Sequence, residues 1–443
     1  MLYRLHSNIF IIGLLAFGFM AAMIVSRAFG IMTLASSIAF FTQMALILYF
    51  SSGENADYSE RVLFFAVLIY TICLGIFYMC ISEYISGDNF MLSKLDAMFY
   101  YKESTKAADA GLIEGTKYIA SSYDFDDWGA LLFDMFVMYL VPEKLFLNAI
   151  YFLLGAASAV LLYRMGKPYM PDSYAFLSAM SYATSSYMVF FHCTFLKESL
   201  FVFLVILTVY YFQQAIVCQS NKYLISVAFC IGILFLFRPA VAVFLGASFC
   251  CYYAITLRGS ALSLFIYVGV AVAGVIAMQI MQRNFERYSV DGDMGAVLES
   301  RSVGDYSSNF NYFVSYFGAF FGPFPTLFSK NVDVPTLLEF YGAGLTYRLF
   351  LIIPFWGSVY YVWKNSAIGL VPLLVFIIME MVSTGYIYAS LELRKVLLHI
   401  PFMYTMSFYG IYQMISSDNA KKWLKLPTYA VSLGIMFLWN VIK

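Results

Sequence analysis

Long uninterrupted apolar runs constrain this chain more than any other feature of its sequence. About thirteen of them follow one another between Ile9 and Val441, each roughly 15 to 22 residues long, which is the length a helix needs to cross a bilayer. Because 62% of the 443 residues are hydrophobic and only 12% are charged, no soluble core could bury them all. The sequence therefore predicts an all-α, polytopic integral membrane protein.

The connections between the runs predict its topology. Lysine and arginine are more frequent in alternate short connections, which places the N-terminus in the cytoplasm. The first run is interpreted as a retained helix, because a second run begins at Ile31 without an intervening small-residue cleavage site. Two long segments, about 83–143 and 282–344, then face outward from a single membrane domain spanning 1–443. The predicted spans are Ile9–Val25, Ile31–Phe50, Val62–Ser82, Phe146–Tyr163, Ala175–Phe191, Leu200–Val217, Tyr223–Phe237, Ala240–Leu257, Leu262–Met281, Leu345–Val362, Ile368–Tyr388, Val396–Met414 and Pro427–Val441.

A polar break joins two of the apolar runs and contains Lys197 and Glu198. Charged groups at the end of membrane helices are costly to desolvate and often functional, although a lysine there can also be a snorkelling anchor. Neighbouring residues on a helix diverge by about 100°, so each of the two is expected to have a different partner. Lys197 suits a phosphate oxygen, and Glu198 is a candidate catalytic acid.

The first outer segment offers a candidate general base. Asp96 and Tyr100 are one helical turn apart, so a helix would place them on the same face. A carboxylate just outside the bilayer could accept the proton of a sugar hydroxyl. The alternative is that Asp96 is a solvated acid on a surface helix.

Further candidates lie at other outer helix ends. Arg238 precedes a proline between two apolar runs, and Arg394 and Lys395 precede the run that begins at Val396. Guanidinium groups bind phosphate bidentately, although either arginine alone could be an ordinary interface anchor. Two acids complete the set of candidates: Glu380, inside an apolar run, and Glu392, next to the basic pair.

Several other functions lack support in the sequence. The acid-x-acid strings that begin at Asp124 and Asp291 lie outside on the predicted topology, where nucleotide sugars are not available, so we discount both. Three histidines and seven scattered cysteines do not have the spacing of a metal site, and no cofactor is predicted. The zero net charge gives no basic field for nucleic acid, and no phosphate-binding glycine loop is present.

Together these residues resemble a family. The strings Asp96-x-x-x-Tyr100, Leu196-Lys197-Glu198, Arg238-Pro239 and Glu392-Leu393-Arg394-Lys395 look like those of bacterial GT-C-type membrane proteins of surface-polysaccharide synthesis, including O-antigen polymerases. The resemblance implies a glycosyltransferase of the bacterial inner membrane that acts at the periplasmic face. Its partners would be membrane lipid, undecaprenyl-phosphate- or undecaprenyl-diphosphate-linked glycan and a chain-length regulator. It implies that Asp96 is the acid, with Lys197, Arg238 and Arg394 as phosphate contacts.

Three functions remain open at this point. The first is a repeat-unit polymerase of O-antigen or exopolysaccharide, and the second is a transferase that adds a single sugar from a polyprenyl monophosphate. The third, from another class, is a flippase for lipid-linked oligosaccharide. A flippase should carry charges along a central path, whereas here most candidate groups are predicted on one side.

Overall fold

The computed structural model describes residues 31–52, 57–87, 96–220, 222–256, 351–383 and 397–416, with six single positions: Phe90, Gly344, Tyr347, Arg348, Ala430 and Gly434. Within these residues the regular structure is entirely helical. The helices are α1 (Ile31–Ser52), α2 (Glu60–Ser86), α3 (Asp96–Asp109), α4 (Leu112–Ser122), α5 (Trp128–Leu140), α6 (Lys144–Gly166), α7 (Asp172–Ala183), α8 (Ser186–Cys193), α9 (Glu198–Cys218), α10 (Lys222–Phe235), α11 (Pro239–Thr256), α12 (Ile352–Lys364), α13 (Val371–Ser383) and α14 (Ile400–Ser416). Two 3₁₀ turns, Phe125–Asp127 and Ile368–Leu370, precede α5 and α13.

Four of the described helices are long and apolar enough to cross a membrane by length and composition. They are α2 over Glu60–Tyr84, α6, α9 and α11. Each coincides with a predicted span, so the prediction of an all-α, polytopic membrane protein is confirmed. The predicted spans Ile9–Val25 and Leu262–Met281 lie outside the described residues, as does most of Pro427–Val441.

One predicted span is wrong. The apolar run Ala175–Phe191 is not one helix but two, α7 and α8, separated by Thr184 and by Ser185 in an extended conformation. Two polar contacts tie the chain around the break to distant residues. Gln43 of α1 donates to the Ser181 carbonyl (3.0 Å), and Ser186 Oγ accepts the Gly344 N–H (2.9 Å). Irregular backbone at membrane depth is tolerated where it is buried in protein in this way.

The short helix α5 packs against the bundle, and Asp134 points inward. The Tyr151 hydroxyl of α6 donates to Asp134 at 2.5 Å, and both side chains are buried. The opposite face of α5 exposes Phe136 and Tyr139. At 13 residues, about 20 Å, α5 is too short to span the bilayer, in keeping with the prediction that it lies along a surface.

Side-chain contacts define two ends of the bundle. At one end, Arg164 near the end of α6 makes a bidentate pair with Glu60 at the start of α2, with contacts of 2.9 and 2.6 Å. At the other end, Asn148 in the first turns of α6 donates to the carbonyls of His192 and Cys193, both at 3.1 Å. The polar break after α8 therefore lies at the end of the bundle opposite to the Glu60–Arg164 pair.

Candidate functional site

The polar break is a short structured connection held by side-chain hydrogen bonds. Helix α8 ends at Cys193, and α9 begins at Glu198 after the cap residue Lys197. Ser199 donates to the Phe191 carbonyl at 2.9 Å and lies 2.9 Å from His192 Nδ1. His192 is thereby a buried packing residue, and the connection presents Lys197 and Glu198 in fixed directions.

Lys197 pairs with an acid of the first outer segment. Its Nζ lies 2.5 Å from Oδ1 of Asp127, the last residue of the 3₁₀ turn before α5. The Tyr100 hydroxyl of α3 donates to the same oxygen at 2.8 Å. Three separate elements therefore meet at one carboxylate, although Lys197 and Asp127 are 70 positions apart in the sequence.

The environment keeps this carboxylate ionised. Burial alone would raise the pKa of Asp127, but the Lys197 ammonium and the Tyr100 hydroxyl outweigh it and hold the pKa below its usual value of 3.8. Burial and the neighbouring Asp127 carboxylate raise the pKa of Tyr100, so the phenol stays a donor. Because the Asp127 side chain is about one third exposed, it can still meet a substrate from outside.

A second cation–acid contact lies beside the first. Arg238 lies 3.8 Å from Glu198 and 5.6 Å above the Phe201 ring. It also interacts electrostatically with Asp127 and with Glu380 of α13. Lys197 and Glu198 thus face different partners, as their divergence along the chain predicts.

Glu380 completes the acidic side of the cluster. Its side chain is buried, and its Oε1 has no hydrogen-bond partner among the described residues. With Glu198 on one element and Glu380 on another, Arg238 lies in the field of two acids. These two acids hold the guanidinium of Arg238 in place. A phosphate that bound Arg238 would compete with both carboxylates for it.

The glycine at the start of α5 fixes the distance between the two pairs. The Gly129 N–H donates to the Leu236 carbonyl at 2.8 Å, two residues before Arg238. The Phe237 ring lies directly against Gly129, and a Cβ atom there would overlap it. Only glycine allows this approach. It places the turn that carries Asp127 next to the connection that carries Arg238.

Asp96 lies close to this cluster but does not occupy its centre. It is the first residue of α3, half-buried, and it acts electrostatically on Tyr100 one turn later. It stays a candidate beside Asp127. Arg394, Lys395 and Glu392 lie outside the described residues, so the structure gives no position for them.

Sequence reasoning missed Asp127. It lies in the acidic string Asp124-Phe125-Asp126-Asp127, whose acid-x-acid pair is discounted above as a nucleotide-sugar motif. In the structure Asp124 is exposed, whereas Asp127 is turned inward by the 3₁₀ turn. The available signal was its position directly before an apolar helix. Within the described residues, no group of three or more His, Cys, Asp or Glu side chains could hold a metal ion.

Comparison with known proteins gives one finding. Residues 135–281 match the family model of dolichyl-phosphate-mannose-protein mannosyltransferases, a GT-C-type family. The matched part begins in α5 and includes the polar break and Arg238, and it indicates a membrane glycosyltransferase of the GT-C type. Asp96, Tyr100 and Asp127 precede it. No curated protein and no solved structure matches the chain.

Proposed function

We propose that this protein transfers a sugar from a polyprenyl-phosphate-linked donor to a glycan or lipid acceptor in bacterial surface-polysaccharide synthesis. The observation that carries the proposal is the meeting of Tyr100, Asp127 and Lys197 at one end of the bundle. A base for the acceptor and a cation for the donor phosphate are thereby adjacent. The family match supports the same class of reaction.

The reaction assigns a step to each group. The oxygen of an acceptor hydroxyl attacks the anomeric carbon of the donor sugar and forms the new glycosidic bond. The bond from that carbon to the phosphate oxygen breaks, and its electron pair leaves with the lipid phosphate. Asp127, with Asp96 as the alternative, accepts the hydroxyl proton, and Lys197 and Arg238 stabilise the charge on the leaving phosphate.

The family match favours a monophosphate donor and single-sugar transfer. Lys197 and Arg238 are both engaged with acids, which suits one phosphate better than two. The second candidate is a repeat-unit polymerase that uses undecaprenyl diphosphate. It is favoured by the additional basic pair Arg394 and Lys395, which would supply cations for a second phosphate.

Either reaction would take place at the periplasmic face of the inner membrane, with the N-terminus in the cytoplasm. Lys197, Arg238 and the long outer segments lie on that side in the charge-based topology. The partners would be undecaprenyl-linked glycan and membrane lipid, and for a polymerase also a chain-length regulator.

Asparagine substitutions test the identity of the base. Asp127→Asn keeps the size of the side chain but removes proton acceptance, so it should lower the transfer rate by roughly 10²-fold or more. Asp96→Asn should have the smaller effect if Asp127 is the base. Asp124→Asn, at an exposed acid three residues away, is the matched control and should retain normal transfer.

The readout is glycan transferred by the purified full-length protein, with the product mass recorded. A single added sugar identifies the single-sugar transferase, and a ladder of repeat units identifies the polymerase. A large loss with Asp96→Asn and normal rates with Asp127→Asn would return the role of base to Asp96. Normal rates with both variants would refute the proposed site.

A further inference from the structure

A second polar cluster lies at the break between α7 and α8, away from the candidate site. Three segments contribute to it. Tyr187 comes from the first turn of α8, Tyr347 and Arg348 from the chain before α12, and His399 and Tyr404 from the start of α14 and the residue before it. The Tyr187 hydroxyl donates to that of Tyr404 at 3.0 Å. Along α8, Tyr187 lies six positions, about 9 Å, before Cys193 at the polar break.

Arg348 is the centre of this cluster. Its side chain is 3% exposed, and one of its nitrogens lies 3.3 Å from the Met403 sulfur. Its Nε and Nη1 atoms have no hydrogen-bond partner among the described residues. The described groups that interact electrostatically with the guanidinium are the hydroxyls of Tyr187 and Tyr404 and the imidazole of His399, and none of the three is a carboxylate. A buried guanidinium without an anion is strongly destabilising, so this arrangement calls for a counter-charge.

The surrounding groups are matched to an anion. His399 is completely buried, and neither of its ring nitrogens has a partner among the described residues. The N-terminus of α8, which favours negative charge, begins one residue before Tyr187. Guanidinium and imidazole donate hydrogen bonds, and the Tyr404 hydroxyl keeps its own proton to donate while it accepts from Tyr187. A tetrahedral oxyanion accepts several hydrogen bonds at once.

We propose that Arg348, His399, Tyr187 and Tyr404 form a second anion site that binds the phosphate group of a membrane lipid. Phosphate matches the forked guanidinium. A lipid is the expected source of that phosphate because Tyr187 and Tyr404 belong to the continuous apolar core. This phosphate is separate from the one that Lys197 and Arg238 would contact. The site does not depend on the transfer reaction proposed above.

The test measures thermal unfolding of the purified full-length protein in neutral-lipid nanodiscs. The probes are a short-chain polyprenyl phosphate, phosphatidylglycerol, inorganic phosphate and neutral phosphatidylcholine. A phosphate-bearing lipid should raise Tm by roughly 2 °C or more, because a ligand that binds only the folded state stabilises it. The probe with the largest shift distinguishes polyprenyl phosphate from phospholipid and from free phosphate.

Three variants locate the binding. Arg348→Lys keeps the charge but loses the fork and should weaken the affinity about tenfold or more. Tyr404→Phe removes only a hydroxyl and should weaken it less, which keeps the test usable if Arg348→Lys fails to fold. Lys197→Gln can weaken the binding of polyprenyl phosphate at the transferase site, but it should leave the shift with phosphatidylglycerol unchanged, which separates the two sites.

Three results would overturn the proposal. Equal shifts in the wild type and in Tyr404→Phe and Arg348→Lys would place the lipid elsewhere. Equal Tm values with every probe would mean that the counter-charge comes from the chain itself. A shift that is lost only in Lys197→Gln would assign the phosphate to the transferase site and would likewise refute a second site.

Discussion

Asp127 shows how one charge can reverse the effect of burial on its neighbour. Without Lys197, desolvation would dominate and favour the protonated acid. With it, the carboxylate is ionised over the whole physiological pH range, and it contributes stability above pH 3.8 that is lost as the pH falls through its lower folded-state pKa. In the proposed reaction, Lys197 would therefore act on both the donor phosphate and the protonation state of Asp127.

The pH profile of Lys197→Gln should reveal this coupling. Removing the ammonium leaves burial as the largest influence, so the pKa of Asp127 should rise above 3.8. The acid limb of the pH–rate profile should then lie at higher pH than in the wild type, whatever the general loss of activity. Initial rates measured from pH 4 to 8 provide the check. Lys102→Gln removes an exposed lysine of α3 and should keep the wild-type limb; an unshifted limb in Lys197→Gln would contradict the assignment.

Replacing Arg238 by lysine should reduce activity more than its unchanged charge suggests. Lysine loses the planar group that stacks over Phe201 and faces Glu198, so we expect KM for the lipid-linked donor to rise about tenfold. Kinetics with varied donor concentration measure it. Arg164→Lys is the matched control, because Arg164 pairs with Glu60 at the other end of the bundle. If the two variants behave alike at equal membrane abundance, Arg238 is an anchor rather than a phosphate contact. Arg394→Lys carries the same expectation.

At the scale of elements, the close approach of α5 to the corner between α10 and α11 sets the geometry of the site. Gly129→Ala would press a methyl group into the Phe237 ring and push Asp127 away from Arg238. We expect a loss of roughly 1–3 kcal/mol in stability and a fall in activity. Gly232→Ala in α10 is the control, because its added Cβ would contact nothing within 4 Å. Thermal unfolding and transfer rates of the two variants should differ clearly; similar values would show that the corner tolerates movement.

Periodicity explains which elements could be predicted. The four long apolar helices follow from run length alone, and the short length of α5 was likewise expected from its interrupted apolar run. The division between α7 and α8 could not be predicted from the sequence, because the run Ala175–Phe191 contains no glycine or proline to mark a break. A hydroxyl-rich string is compatible with a continuous helix. The contacts made around the break come from Gln43 and Gly344, which belong to distant parts of the chain and are not visible in the local sequence.

At the scale of the whole molecule, the two ends of the bundle should lie on opposite sides of the membrane. Lys117 of α4 and Asp172 of α7 both have exposed side chains and lie on opposite sides in the charge-based topology. In spheroplasts, Lys117→Cys should react with a membrane-impermeant thiol reagent, and Asp172→Cys only after permeabilisation. The parent chain, with its own seven cysteines, gives the background. The reverse pattern would place the site in the cytoplasm and restore nucleotide sugars as donors.

The site as a whole was only partly predictable. The cost of burying charge was enough to select Lys197, Glu198, Arg238 and Glu380, and the structure brings these four into one cluster. Asp127 was not selected, because three acids within four residues look like a solvated loop until the 3₁₀ turn orients one of them. Lys197 and Asp127 lie 70 positions apart, and tertiary packing brings them together. The local sequence pattern around either residue does not predict that contact.

The division between α7 and α8 also bears on how the protein is made. With 12 and 8 residues, about 18 and 12 Å, neither helix can cross a hydrocarbon core of about 30 Å alone. The newly synthesised stretch must therefore enter the bilayer as a pair, against helices that are already there. Gln43 of α1 leaves the ribosome first and supplies the hydrogen bond that the later segment needs at Ser181. The partner of Ser181 is thus already synthesised when α7 and α8 emerge, so we expect α1 to be in place before the segment that leads to the polar break.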